Sequence, residues 1–350
     1  MSAHPLLAGL RQSPDFMLHD LDLVNRRGLV VHLAEADYRR ASFLDHRVLK
    51  PDTRGNWFPL DLIHAEAQGL APPPPHLIFH VSHCGSTLLS RLLAELPGNL
   101  PVREPLGLLN LAMSRRELGL VTSRLDSPGW DRLAATVLKL LSRTYRQDQR
   151  VLLKATSACA NLLAPLLARD ATSRALLLHT DLETWLTVML RKEGVRENGR
   201  YYAPTWFGDF CDLTGRRDLM FPSLNDAEQF AINWLTAMLY FQRAREQTPD
   251  RVFTLDFEAF LADPGRELEA VGKFLGLDTL GAAQAAAGPL MKSYGKNPNI
   301  PFDAAERRRE LEESRRVTGA EIRDGLALAR KLCDEVTMLA PLAAQISRGV

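Results

Sequence analysis

The sequence predicts an α/β fold of three layers, a central parallel sheet with helices on both faces. Two observations lead there. Short apolar runs recur at residues 76–81, 99–103, 151–154, 175–178 and 252–255, and stretches with 3.6-residue apolar spacing lie between them. Strand, helix, strand, helix at that spacing is the pattern of a parallel sheet whose crossovers cover it. A third observation permits it: 350 residues, 46% hydrophobic and 24% charged, hold enough apolar side chains for a sizeable core.

The elements follow in order. Residues 1–71 form an N-terminal extension, polar and interrupted, read as a lid or substrate-side piece. Within it a short strand runs from Leu29 to Leu33, and Trp57-Phe58-Pro59-Leu60 leads into a helix through Leu70. Pro72 to Pro75 make a stiff linker. His76 to Val81 is the central strand. Leucines at 88, 89, 92, 93 and 96 mark one helical face, and Pro97-Gly98 stops the helix. Between strand and helix lies Ser82-His83-Cys84-Gly85-Ser86-Thr87. Such a turn aims backbone N–H groups and a helix N-terminus at one point, which makes an anion site. Gly85 lets a phosphate approach the backbone, and the hydroxyls of Ser86 and Thr87 add donors. The plainer alternative is a strand-to-helix connection without a ligand.

Asn99 to Arg103 reads as the next strand, with Glu104 at its end. An acid beside an anion site is costly unless it has work to do, such as accepting a proton; otherwise it is a surface-loop glutamate. Helices are expected at 106–120 and 130–145. Lys154 closes the strand from Val151, which puts a lysine at the mouth of the sheet, where ligands bind. A short helix spans Asn161–Leu167. The strand from Ala175 ends in His179-Thr180-Asp181, and a helix follows from Leu182 to Arg191. Residues 192–224 read as irregular, with a basic and aromatic loop at 194–216 suited to a lid, an acceptor-binding insertion or a solvated connector. A helix from Ala227 to Arg245 turns Phe230, Trp234, Met238 and Phe241 inward. The strand from Val252 and a helix over Arg266–Leu275 complete a main domain at residues 72–290. Residues 291–350 form a C-terminal cofactor- or substrate-side segment: a basic, turn-rich piece from Lys292 to Asn299, a charged helix over Asp303–Arg316 and a terminal helix over Ile322–Ala340.

A formal net charge of +1 argues against a general nucleic-acid binder. Cys84, Cys159, Cys211 and Cys333 are scattered without a CxxC pair, as in reduced cytosolic proteins. No apolar run reaches membrane-spanning length and no signal pattern opens the chain, so the expected location is the cytoplasm, without integral membrane association. His76, His80, His83 and Cys84 cluster in sequence. Alternation puts His76 and His80 on one strand face, no distant CxxC or HxxxH completes a tetrahedral set, and no metal is expected.

Together these residues resemble the P-loop sulfotransferases, in particular the branch with tyrosylprotein and bacterial sulfotransferases. The resemblance runs from about His76 to Leu277 and more weakly to Asn299. Five marks share the family's order: Cys84-Gly85-Ser86-Thr87-Leu88-Leu89; Arg103-Glu104-Pro105; Leu153-Lys154-Ala155-Thr156; the strand and helix of Ala175–Leu190; and Leu255 to Pro264 ending in Phe274-Leu275-Gly276-Leu277. The resemblance implies a three-layer P-loop fold and transfer of a sulfuryl group from 3′-phosphoadenosine 5′-phosphosulfate (PAPS) to a hydroxyl or amine acceptor on a small molecule or peptide.

It also implies roles. Glu104 is the base, and Lys154 faces the transferred group. His83 stands where the family has a permanent cation, so its charge varies near neutral pH. His83, Cys84, Gly85, Ser86, Thr87 and Leu88 cradle the phosphosulfate. Thr180 replaces the arginine that grips the 3′-phosphate, with His179 beside it, and the family's helix serine falls near Thr187 or Val188. His179, Arg191, Lys192, Lys292 and Lys296 are candidates to compensate. Two other readings stand beside the enzyme. One is a sulfotransferase-fold binding module without catalysis, favoured by the replaced cations. The other is a P-loop phosphotransferase, opposed by the lack of a lysine after Gly85.

Overall fold

The five apolar runs pair as one parallel sheet. A computed structural model describes residues 4–295, 297–301 and 303–347, with the side chains of residues 294 and 297–300 outside the description. The chain starts with α1 (Pro5–Gln12), β1 (Phe16–Asp22), β2 (Arg27–His32), α2 (Glu35–Arg40), β3 (Gly55–Pro59) and α3 (Leu60–Gln68). It continues through β4 (His76–His80), α4 (Ser86–Glu95), β5 (Asn99–Arg103), α5 (Leu106–Glu117), α6 (Ser127–Leu141), β6 (Arg150–Lys154), α7 (Leu163–Arg169), β7 (Ala175–His179) and α8 (Leu182–Met189). Then come α9 (Glu193–Thr214), α10 (Asp226–Gln247), β8 (Val252–Asp256), α11 (Phe257–Ala262), α12 (Pro264–Leu275), α13 (Ala282–Ala287), β9 (Ser293–Tyr294), β10 (Asn297–Pro301) and α14 (Ala304–Glu335).

The strand order β5-β6-β4-β7-β8 brings the carboxyl ends together on one rim. Arg103 pairs with Lys154, Ile78 with Lys154, His80 with Leu178, and His179 with Asp256. Every residue of β4, β5 and β7 is buried, as expected of a parallel sheet covered on both faces.

Three expectations are corrected. The loop at 194–216 is α9, a 22-residue helix that ends on Gly215 in the left-handed region, φ +75°. It packs along α10: Gly199 lies against the Phe230 ring, where a Cβ would sit 2.6 Å from it. The helices expected at 303–316 and 322–340 are one, α14, which packs on α8 and α10. The extension is also more ordered than its polarity implied. It carries a three-stranded antiparallel sheet in which β1 was not foreseen, because His19 and Asp20 break its apolar pattern.

Two buried arginines fasten that unit to the main sheet. The Arg103 guanidinium on β5 donates to the carbonyls of Tyr38, Arg39 and Ala41 at 3.3, 3.2 and 3.0 Å. Arg143, after α6, donates to the carbonyls of Leu10, Ser13 and Phe16 at 2.6, 2.7 and 2.6 Å. All four cysteines are free thiols and buried. Among the described residues, no helix is long and apolar enough to cross a membrane.

At the opposite, amino-terminal rim, His76 accepts a hydrogen bond at Nδ1 from the Arg174 amide, 3.1 Å away. Burial, then the nearby Arg150 and Arg174, push its pKa down to about 3. It is therefore a neutral structural histidine. The folded value lies below the unfolded one of about 6.5, so the unfolded chain binds the extra proton. His76 thus contributes full stability above about pH 6.5 and loses about 1.4 kcal/mol per unit as pH falls below that value. Urea denaturation from pH 7 to pH 4.5 is expected to show this slope, and His76→Asn to flatten it. Arg143→Met is expected to cost about 3 kcal/mol in the same measurement, because it strands three carbonyls whose net loss is about 1 kcal/mol each.

Candidate functional site

A cavity of about 620 Å³ opens over the carboxyl rim, and Gly85, Ser86, Thr87 and Glu104 are among the residues that line it. The turn after β4 is built from unusual backbone. His83 has φ +55° and Gly85 has φ +75°. Gly85 is the N-cap of α4 and no side chain caps that helix. The first N–H groups of α4 lack intrahelical acceptors by construction, so they are left for a ligand. A Cβ on Gly85 would overlap the Phe257 ring, so glycine is required there both for its conformation and for its size. Residues 293–295 pass across this helix end: a Cβ on Gly295 would come within 3.1 Å of the Leu88 amide.

Glu104 also lies in the left-handed region, with φ +51°. A non-glycine residue held there costs on the order of 1 kcal/mol or more, and such residues gather at functional sites. The cause is visible. The Glu104 amide donates to the Lys154 carbonyl at 2.7 Å, which carries the β5–β6 ladder one residue past the strand. Its carboxylate then bends back onto the Lys154 ammonium, forming an ion pair and hydrogen bond. Lys154 is 0% exposed, and Glu104 retains 15% of its side-chain surface. His80 Nε2 lies 3.8 Å from the same carboxylate oxygen.

The residues singled out by sequence divide into two groups. His83, Gly85, Ser86, Thr87, Leu88 and Glu104 line the cavity. Lys154 reaches it only through Glu104. Cys84 turns away, its thiol donating to the Leu178 carbonyl at 3.5 Å. His179 is buried at the end of β7, with Nδ1 3.9 Å from Asp256. Thr187 is 0% exposed and its hydroxyl donates to the Glu183 carbonyl at 2.7 Å, so the face of α8 that meets the cavity is Val188 instead. Lys296 lies outside the described residues.

The cavity also draws on residues that sequence reasoning did not place there. Phe43 and Arg47 come from the N-terminal unit; Arg47 stacks 3.6 Å over the Phe43 ring and donates to Asp45 at 2.8 Å. Asn198 and Tyr202 come from α9, and Arg307 from α14. Tyr202 was visible as part of a basic and aromatic stretch. Arg307 sits in a charged run that reads as solvated, and no local signal distinguishes it.

No family model matches the chain, and no curated protein matches it in sequence. Solved sulfotransferases are similar to it. One is the sulfotransferase domain from the curacin biosynthetic pathway, at 15% identity over 71% of this chain and 99% of that one, with a TM-score of 0.40. Another is a sulfotransferase of Mycobacterium tuberculosis, at 14% identity over 73% and 80%, with a TM-score of 0.41. A third, from Alicyclobacillus acidocaldarius, is 13% identical over 75% and 96%, with a TM-score of 0.35.

The geometry of the turn makes a direct prediction. Gly85→Ala forces a Cβ into the left-handed region and against Phe257. It is expected to cost about 1–3 kcal/mol in urea denaturation. Inorganic pyrophosphate is expected to raise the melting temperature of the unaltered protein, and the same substitution to abolish that shift.

Proposed function

We propose that this chain transfers the sulfuryl group of PAPS to a hydroxyl, or amine, acceptor on a small molecule or peptide. The observation that carries this reading is that Glu104, tied to Lys154, shares one cavity with the Gly85–Thr87 turn. A base and an oxyanion site in one cavity are what in-line transfer between a nucleotide and an acceptor needs. The match of residues 84–89, 103–105, 153–156 and 255–277 to the family's marks supports the same reading.

In this mechanism the acceptor oxygen attacks sulfur, and the bond from sulfur to the 5′-phosphate oxygen breaks. Glu104 takes the acceptor's proton. The N–H groups of the first turn of α4, with the Ser86 and Thr87 hydroxyls, receive the charge that grows on the leaving phosphate. His83, which lines the same cavity, adds a cation for the sulfonate oxygens when protonated. Lys154 acts as a positioning residue: its ammonium is sealed against Glu104 and fixes the direction of the base. His179 and Thr187 do not contact substrate in this scheme, and no step needs a metal.

The burial of Lys154 also favours a second reading, a binding module that holds the nucleotide without transferring its sulfuryl group. Calorimetry with adenosine 3′,5′-bisphosphate and a sulfate-transfer screen over hydroxyl acceptors separate the two. Glu104→Gln is expected to lower turnover by about 100-fold or more while leaving affinity for the bisphosphate within about twofold. Tight bisphosphate binding with no transfer to any acceptor would select the binding module. Mg²⁺-dependent ATP binding in its place would select a phosphotransferase.

A further inference from the structure

α10 is buried without a break from Phe230 to Leu239, and Asn233 lies within that stretch. Thr236, the other residue there with a hydroxyl or amide, is satisfied inside its own helix, donating to the Ile232 carbonyl at 2.7 Å. Asn233 is 6% exposed, and its Oδ1 is buried with no donor among the described residues. An orphaned buried acceptor costs stability, so it calls for a partner from outside the chain.

Asn233 borders a small second cavity, of about 30 Å³, between α8, α9 and α10. Trp185, Trp206 and Trp234 supply much of its apolar lining. The Trp185 indole N–H goes to the Ser82 carbonyl at 2.6 Å and that of Trp234 to the Thr180 carbonyl at 3.0 Å, so neither answers Asn233. Among the described residues that line this space there is no Asp, Glu, Lys, Arg or His. It adjoins the main cavity, since Ser82, Ser157, Asn198 and Tyr202 line both. Burial, and after it the neighbouring Tyr201, Cys159 and Glu104, hold the Tyr202 pKa above its usual value, so its phenol is neutral and lies within reach of the base's field.

We infer that this space is a subsite for a second hydroxyl of the acceptor, which donates to Asn233 Oδ1 while the reacting hydroxyl gives its proton to Glu104. The inference rests on the transfer reading above and narrows its acceptor to a diol or polyol with one hydroxyl on a slender arm. Size, charge and hydrogen bonding each restrict what enters. A space of about 30 Å³ takes one or two water-sized groups, so a hydroxymethyl end fits and a ring does not. A carboxylate, sulfate or ammonium group would lose its hydration and meet no counter-ion. A methyl or ether end would leave Oδ1 as orphaned as before. A hydroxyl meets all three conditions. A resident water would meet them too, but it would make the acceptor's second hydroxyl irrelevant to the rate, and that difference is measurable.

Sulfate transfer from PAPS to matched acceptors tests this, with hydroxyethylphenol set against ethylphenol and butanediol against butanol. In every pair that the unaltered protein turns over, the dihydroxy member is expected to have a kcat/KM about tenfold higher or more. Asn233→Leu and, separately, Ala237→Val, which narrows the same space, are each expected to bring that ratio below about twofold. Asn233→Leu is also expected to melt no lower than the unaltered protein, because it removes an orphaned acceptor. Arg309→Met, exposed on α14, is expected to leave the ratio as it was. Equal kcat/KM for both members of each pair would overturn the inference. So would an undiminished ratio in either pocket variant, each made independently so that misfolding of one leaves the other as the test. Transfer to no acceptor, in these pairs or in the wider hydroxyl screen, would instead remove the transfer reading and this inference with it.

Discussion

An ammonium group cut off from water must be given a carboxylate, and the rim of the sheet is arranged around that requirement. Lys154 ends β6 with no exposed surface. Its position opposite Arg103 is fixed by the ladder, so the next residue of β5 is the one that can answer it. Glu104 does so twice, through its amide to the Lys154 carbonyl and through its carboxylate to the ammonium. Satisfying both contacts forces the chain into the left-handed region at a residue with a full side chain. The price is local strain; the result is a carboxylate whose direction is set before any ligand arrives. Breaking one partner of such a pair is far more harmful than never having had it, which locks the two residues together.

What could be read from sequence follows the range of the forces involved. The strands of the parallel sheet announce themselves because residues buried on both faces must be apolar in an unbroken run. Glu104 and Lys154 stand out as charged residues closing such runs, and the turn at Gly85 as small residues between a strand and an amphipathic helix. α9 is different. Gly194, Gly199, Pro204 and Gly208 are all unfavourable in a helix interior, and its stability comes from partners elsewhere in the chain. Among them are the Phe230 ring packed on Gly199 and Arg116, which grips Asp209 at 2.9 and 3.0 Å. The first half of α14 is so rich in charge that it reads as solvated, and the residues that give Arg307 and Glu310 their meaning, Glu258 and Arg191, are 49 and 119 positions away. Thr187 shows the limit from the other side. A one-residue offset on α8 turns a hydroxyl into the helix backbone and leaves Val188 at the cavity.

The part of the cavity lined by Phe43 and Arg47 depends on the N-terminal unit in the same long-range way. Phe43 and Arg47 reach the site because Arg103 holds the carbonyls of residues 38, 39 and 41 just before them, and the Leu44 amide donates to the Arg103 carbonyl at 2.7 Å. One strand thus serves both sides of the cavity. Its last residue, Arg103, anchors the segment that carries Phe43 and Arg47, and the residue after it is Glu104.

The clamp at Arg143 has a consequence for how the protein is made. Its bond to the Leu10 carbonyl spans 133 positions. At the pace of synthesis, on the order of ten residues per second, residues 5–22 emerge roughly ten seconds or more before the guanidinium that holds them. During that interval Leu6, Leu7, Leu10, Met17 and Leu18, all buried in the finished protein, can pack only within their own unit, against β2, β3 and α3. The first helix and strand of the N-terminal unit are thus translated well before the residue that fastens them to the rest of the chain.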